Sequence, residues 1–236
     1  MTTDQPIDRK PRPGVALLIL LRRELLVELR TRSLLTSMGL FALLEIVVVG
    51  LGVRALPADE TFSRFVPAVL WVCMLFAAVV GINRSALADR DKNLHAAFLL
   101  LPYDPTIIYM ARLVSTFVFL SVVEAVQVVA AVPLLRFDIP REPWLLAVLA
   151  LTNIGVLAPG ILLASATSQA RGGEALLTIM LLPVIVVVFM GAAGATDSFL
   201  GGLGFEGAQS YLLLLCICAA MFPALGLLLY GRLHEG

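Results

Sequence analysis

Two carboxylates in this chain sit where a carboxylate is expensive. Glu45 and Glu124 each lie in the middle of a long apolar run. An acid at the centre of a bilayer costs roughly 3 kcal/mol on insertion scales, so each must face a bundle interior or a cavity. Glu124 has polar company. Ser121 at i−3 and Gln127 at i+3 fall on the same side of a helix. That trio suits a polar path through the membrane, a proton relay, or a protonated acid hydrogen-bonding between helices. Glu45 has no comparable polar stripe around it, and its two readings are the same: pathway or interhelical bond.

Other chemistry is sparse. The two histidines are His95 and His234, and neither an HExxH nor a GxSxG motif occurs. A phosphate-binding loop needs glycines and a lysine in fixed order. The two lysines, Lys10 and Lys92, stand in no such context. ATP-driven work would therefore need a separate ATPase chain. Cys73, Cys216 and Cys218 lie inside apolar runs, and Cys216 and Cys218 point to nearly opposite helix faces. They read as buried apolar thiols rather than a disulfide or a metal site. The expectation is a chain that is not an enzyme, with no catalytic, metal or cofactor-binding residues and no nucleic-acid partner.

The elements that position these groups dominate the sequence. Hydrophobic residues make up 60% of it and charged residues 14%, against about 45–50% and 25% in soluble domains. Six apolar segments are long enough to span a bilayer: Ser33–Val53, Phe65–Asn83, Leu113–Leu135, Trp144–Ser165, Ala175–Thr196 and Tyr211–Tyr230. Four carry no charge, and the first and third carry one glutamate each. Backbone groups in lipid must be satisfied internally, so these spans are helices. The expected fold is all-α and integral to the membrane, one domain over 14–236.

Thirteen of the 17 Lys and Arg residues fall on one side of this plan, including Arg9, Lys10, Arg22, Arg23, Arg84, Arg90, Lys92 and Arg112. The positive-inside rule then puts both termini in the cytoplasm. Residues 1–13 hold three prolines and no periodicity, and read as a mobile cytoplasmic tail. Arg22, Arg23 and Glu24 follow the short apolar run Val15–Leu21, where a signal peptide would need small residues, so no signal peptide is expected.

Gly14–Arg32 repeats Leu18, Leu21, Leu25, Leu26 and Leu29 at helical spacing, with arginines on other faces. It is too charged to span and reads as an amphipathic helix in the interface, with Glu28 and Arg32 as an i,i+4 pair. Between the second and third spans, Leu94, Phe98 and Leu101 recur at i, i+4 and i+7, behind an acidic–basic patch that includes Arg90 and Asp91. Pro102 ends that pattern, and Tyr103, Asp104 and Pro105 read as a turn back to the bilayer. A short cytoplasmic helix over about 93–101 with one apolar stripe can rest on the membrane or dock into a partner's groove. Asp197–Ala208 reads as a glycine-rich outward loop. Pro67, Pro159, Pro183 and Pro223 fall inside spans, and Pro159 with Gly160, Asn153 and Gly155 should loosen the fourth.

Residues in a particular order carry a family resemblance. They are RFVPAVLWV over 64–72, GINRS over 81–85, the charged patch before Leu101 and Pro102, then Ala158-Pro159-Gly160, Arg171-Gly172-Gly173 and Leu182-Pro183. From about Leu20 onward the chain resembles the heme exporter protein B (CcmB) family of cytochrome c maturation. The resemblance implies an ABC-2-type exporter permease: six helices per protomer, a second copy of the chain, and an ATPase subunit bound on the cytoplasmic side. It would place the coupling helix on Leu94–Leu101, flanked by Arg90 and Asp91. It further implies a heme-handling membrane protein, a small accessory subunit and a periplasmic heme chaperone as partners, in a bacterial inner membrane. ATP use on the partner would release the heme-loaded chaperone. With both histidines outside the spans and only Trp71 and Trp144 as tryptophans, heme is expected on the partners. An exporter permease for a lipid, drug or glycan is the main alternative, and an ATP-independent assembly scaffold the other.

Overall fold

The computed structural model describes residues 13–54, 60–91, 104–136, 143–167 and 172–235. These residues form seven helices and no strand. They are α1 (Pro13–Thr31), α2 (Ser33–Arg54), α3 (Glu60–Asp91), α4 (Pro105–Leu135), α5 (Trp144–Thr167), α6 (Gly173–Leu200) and α7 (Gly204–Glu235). Helices α2 to α7 are each long and apolar enough to cross a membrane. The six expected spans are all present, several with longer ends. The fold is an all-helical membrane bundle.

Helices α5, α6 and α7 pack tightly on one another, while α2 lies against α3 and α4. Helices α3 and α4 join the two groups, so one core runs through all six spans, with Met38, Leu70, Trp71, Leu120, Leu157, Leu181 and Leu215 among its members. Lipid is as apolar as leucine, so close packing and interhelical hydrogen bonds hold such a bundle, not burial as such. The contacts fit that rule. A Cβ at Gly81 would press on the Met38 side chain, and one at Gly160 on Ile82. Trp71 Nε1 donates to Thr196 Oγ1 at 2.9 Å, tying α3 to α6, and its ring meets Phe189 edge-on at 5.8 Å.

Several expectations need revision. Helix α1 forms, and its Leu20 packs on Ile108 and Ala111 of α4, with Ala16 buried as well. Leu18, Leu26 and Leu29 are exposed. The Glu28 carboxylate serves a different purpose from an Arg32 pair. Its Oε1 accepts from the backbone N–H of Leu34 at 2.6 Å and of Leu35 at 3.0 Å. Those donors have no partner within a helix's first turn, so Glu28 caps α2. Arg32 adopts a left-handed conformation, φ 54°, which ends α1 and turns the chain into α2.

The loop expected over Asp197–Ala208 is also shorter than that stretch. Helix α6 continues to Leu200 and α7 begins at Gly204, leaving Gly201, Gly202 and Leu203. Gly202 has φ 75°, and the Gly201 N–H bonds the Asp197 carbonyl at 2.7 Å. At this end of the bundle Trp144 stacks on Phe199, with centroids 6.2 Å apart and planes at 2°, and lies 5.3 Å from Phe205. Such aromatic groups suit the membrane boundary. Residues 1–12 and Lys92–Tyr103 lie outside the described residues, so the Leu94–Leu101 helix does too, as does the expected 1–13 tail apart from Pro13, which opens α1.

Candidate functional site: a polar layer between the central helices

Two helices bring the polar groups of the bundle interior together. Helix α4 starts sharply. Asp104 is its N-cap, and Oδ1 accepts from the Thr106 N–H at 2.9 Å and from the Thr106 hydroxyl. Pro105 occupies the first turn, where its missing N–H costs nothing. This start sets the register that points Tyr109, Ser121, Glu124 and Gln127 inward. Helix α5 is apolar on nearly every face, which suits a helix packed against four neighbours. Its polar residues are Thr152 and Asn153 in mid-helix and Ser165 and Thr167 at its end.

Glu124 is 3% exposed. Its Oε2 accepts from Asn153 Nδ2 at 2.5 Å, and the same nitrogen lies 3.5 Å from Ser121 Oγ. Glu124 and Ser121 thus meet through a residue on the neighbouring helix. Gln127 shares the expected face and is fully buried. Neither its amide nitrogen nor its amide oxygen finds a hydrogen-bond partner among the described residues. Thr152 Oγ1 is in the same position. So is Glu45 Oε2 on α2, and Glu45 is not joined to the Glu124 cluster by any hydrogen bond among the described residues. A buried polar atom without a partner costs about 1–3 kcal/mol. The structure therefore brings Glu124 and Ser121 together as expected, buries Gln127 beside them without a bond, and keeps Glu45 apart.

A second link between the same helices lies nearer the α1 end. The Tyr109 hydroxyl donates to the Ala158 carbonyl at 3.1 Å. Its ring is fully buried, 5.2 Å from the Tyr230 ring of α7 and directly over Gly226, where a Cβ would overlap the Tyr109 hydroxyl. Ala158 immediately precedes Pro159 within α5.

Sequence reasoning missed Asn153 as the partner of Glu124 and missed Tyr109 altogether. An asparagine alone in a charge-free span is a detectable signal, because an amide in lipid needs a partner. Tyr109 gave less warning, since it lies just behind a polar turn. Arg90 and Asp91 fall on the last turn of α3, with their side chains outside the described set; Leu94, Phe98 and Leu101 lie beyond it. Cys73 and Cys218 are buried as expected, but Cys216 is exposed, because its place on the face opposite Cys218 turns it away from the bundle interior. Among the described residues no group of three His, Cys, Asp or Glu side chains could hold a metal.

No curated protein matches the chain. A family model described as CcmB protein matches residues 15–227, from α1 to the inner part of α7. The chain therefore belongs to the CcmB protein family and is a multi-pass permease component, not itself catalytic, of the heme exporter in cytochrome c maturation in the bacterial inner membrane.

Proposed function

We propose that this chain is the mechanical subunit of an ATP-driven assembly. An ATPase subunit docks on Leu94, Phe98 and Leu101, with Arg90 and Asp91 at the edge of the contact. Two copies of the chain form the membrane core. ATP hydrolysis on the partner moves the helices. The movement passes to a heme-handling membrane protein and a small accessory subunit, and the heme-loaded periplasmic chaperone is released. Both termini face the cytoplasm, in line with the Lys and Arg asymmetry. Heme is held by partners; this chain supplies no axial ligand.

The observation that carries this reading is the pair of helices flanking residues 92–103. Helix α3 runs unbroken from Glu60 to Asp91, past the apolar span that ends at Ala86. Helix α4 starts at a capped, proline-fixed first turn and runs to Leu135. At 1.5 Å per residue each is over 45 Å long, against a hydrocarbon core of about 30 Å. A partner gripping the segment between them holds the ends of two stiff levers that reach the whole depth of the bundle. The unpartnered Gln127, Thr152 and Glu45 fit the same reading. Polar groups without partners in one arrangement favour another arrangement in which they have them. In this account Glu124, Ser121, Gln127 and Glu45 mark where the interior rearranges, and they do not form a heme conduit.

The test is a Leu94→Asp/Phe98→Asp double variant, purified in mild detergent. The expected result is normal membrane insertion with loss of the copurifying ATPase. An intact complex would overturn the docking assignment.

A further inference from the structure

We infer that Tyr109 is a positioning residue that carries movement of the ATPase-docking segment into helix α5 at Pro159. The inference rests on the ATP-driven reading above and assigns the route within it.

Tyr109 lies five residues after the Asp104 cap, on the first turns of α4. Those turns are held from two sides. Leu20 of α1 packs on one side against Ile108 and Ala111. On the other side stand α5 and α7, and Tyr109 touches both. Any displacement of the chain at Asp104 moves this turn as a unit, because the cap and Pro105 leave no slack before it.

The ring cannot absorb that displacement. Gly226 of α7 lies so close beneath it that even a methyl group would collide. Tyr230 closes the adjacent side at 5.2 Å. The hydroxyl is bonded to the Ala158 carbonyl at 3.1 Å. The push is therefore delivered to the α5 backbone.

It arrives where α5 is weakest. Pro159 has no N–H, so the Gly155 carbonyl lacks the donor that an unbroken helix provides four residues on. Gly155 and Gly160 bracket the site, and proline is a common cause of sharp helix bends. Five residues from Ala158, about 7.5 Å along the axis, Asn153 holds the Glu124 carboxylate. A bend at Pro159 therefore shifts the partner of Glu124 relative to α4. The route runs from the docking segment through Tyr109 and Pro159 to the polar layer.

Tyr109→Phe keeps the ring and removes only the hydroxyl. The experiment uses the whole assembly in vesicles and reads ATP hydrolysis and release of heme-loaded chaperone side by side. The expected result is unchanged ATPase recovery and hydrolysis, with chaperone released per ATP falling about fivefold, the worth of one neutral hydrogen bond. Backbone hydrogen exchange over residues 154–162 should respond to ATP in the parent protein and lose that response in the variant. Unchanged release per ATP with an unchanged exchange response would overturn the role of Tyr109 and leave the ATP-driven reading standing. Hydrolysis and release falling together would also overturn it, in favour of a purely structural tyrosine. A parent assembly that hydrolyses ATP without affecting release would overturn the proposed function itself, and the route with it.

Discussion

Two hydrogen-bonded links between helices α4 and α5, one at Tyr109 and one at Asn153, are built differently. Near the α1 end, the Tyr109 hydroxyl meets a backbone carbonyl, and its ring is walled in by Gly226 and Tyr230. Deeper in the bundle, Glu124 meets Asn153, side chain to side chain, beside the orphaned amide of Gln127 and the orphaned hydroxyl of Thr152. The first link has one geometry available to it. The second is two flexible side chains in a layer whose polar groups are only partly satisfied. The contrast separates a part that transmits force from a part that responds to it. A membrane bundle with no water to rescue its polar groups tolerates few such orphans. Among the described residues Gln127 and Thr152 lie on α4 and α5, while Glu45 Oε2 and Asn83 Oδ1 lie on α2 and α3.

The largest effect should come from breaking the stiff link. Gly226→Val places a branched side chain into the Tyr109 ring. Overpacking of this kind costs up to about 3 kcal/mol, read as a lower thermal midpoint of the detergent-solubilised protein. An unchanged midpoint would mean the ring has room to move, and the contrast between the two links would fail.

Smaller effects of opposite sign should separate the groups of the polar layer. Asn153→Leu removes the donor to Glu124 and strands a buried carboxyl, a loss of about 2 kcal/mol. Gln127→Leu removes two polar atoms that have no partner, so stability should hold or rise by about 1 kcal/mol. If Gln127 gains partners in a second arrangement, the same variant should lower cytochrome c production while the protein becomes no less stable. Equal destabilisation by both variants would show that Gln127 is as well satisfied as Asn153 and would remove the distinction.

The sequence made the spans legible because lipid leaves so few alternatives. An apolar run of some 20 residues in a charge-poor chain can only be a helix across the bilayer, and all six were found. It also exposed Glu124 and the face it shares with Ser121 and Gln127, because helical spacing fixes which side chains share a side. Spacing within one helix says nothing about the neighbour. Asn153 could be recognised as the partner of Glu124 only once α5 was packed on α4. The same limit hid the Tyr109–Ala158 bond. The glycine-rich 197–208 stretch misled for another reason. Glycine signals a turn in water but is ordinary in a membrane helix, so α6 runs on to Leu200. Glu28 was seen as a helix-surface charge, and its use as a cap for α2 depends on Arg32 turning left-handed.

The central claim is that this chain moves helices for an ATPase on behalf of heme-handling partners. Its most direct test is to recover the intact chain from its native membrane in mild detergent and identify by mass spectrometry what comes with it. The account predicts an ATPase together with heme-handling maturation proteins, with the heme absorbance travelling with those partners. Recovery without any ATPase, or heme bound through histidine to the isolated chain, would contradict it.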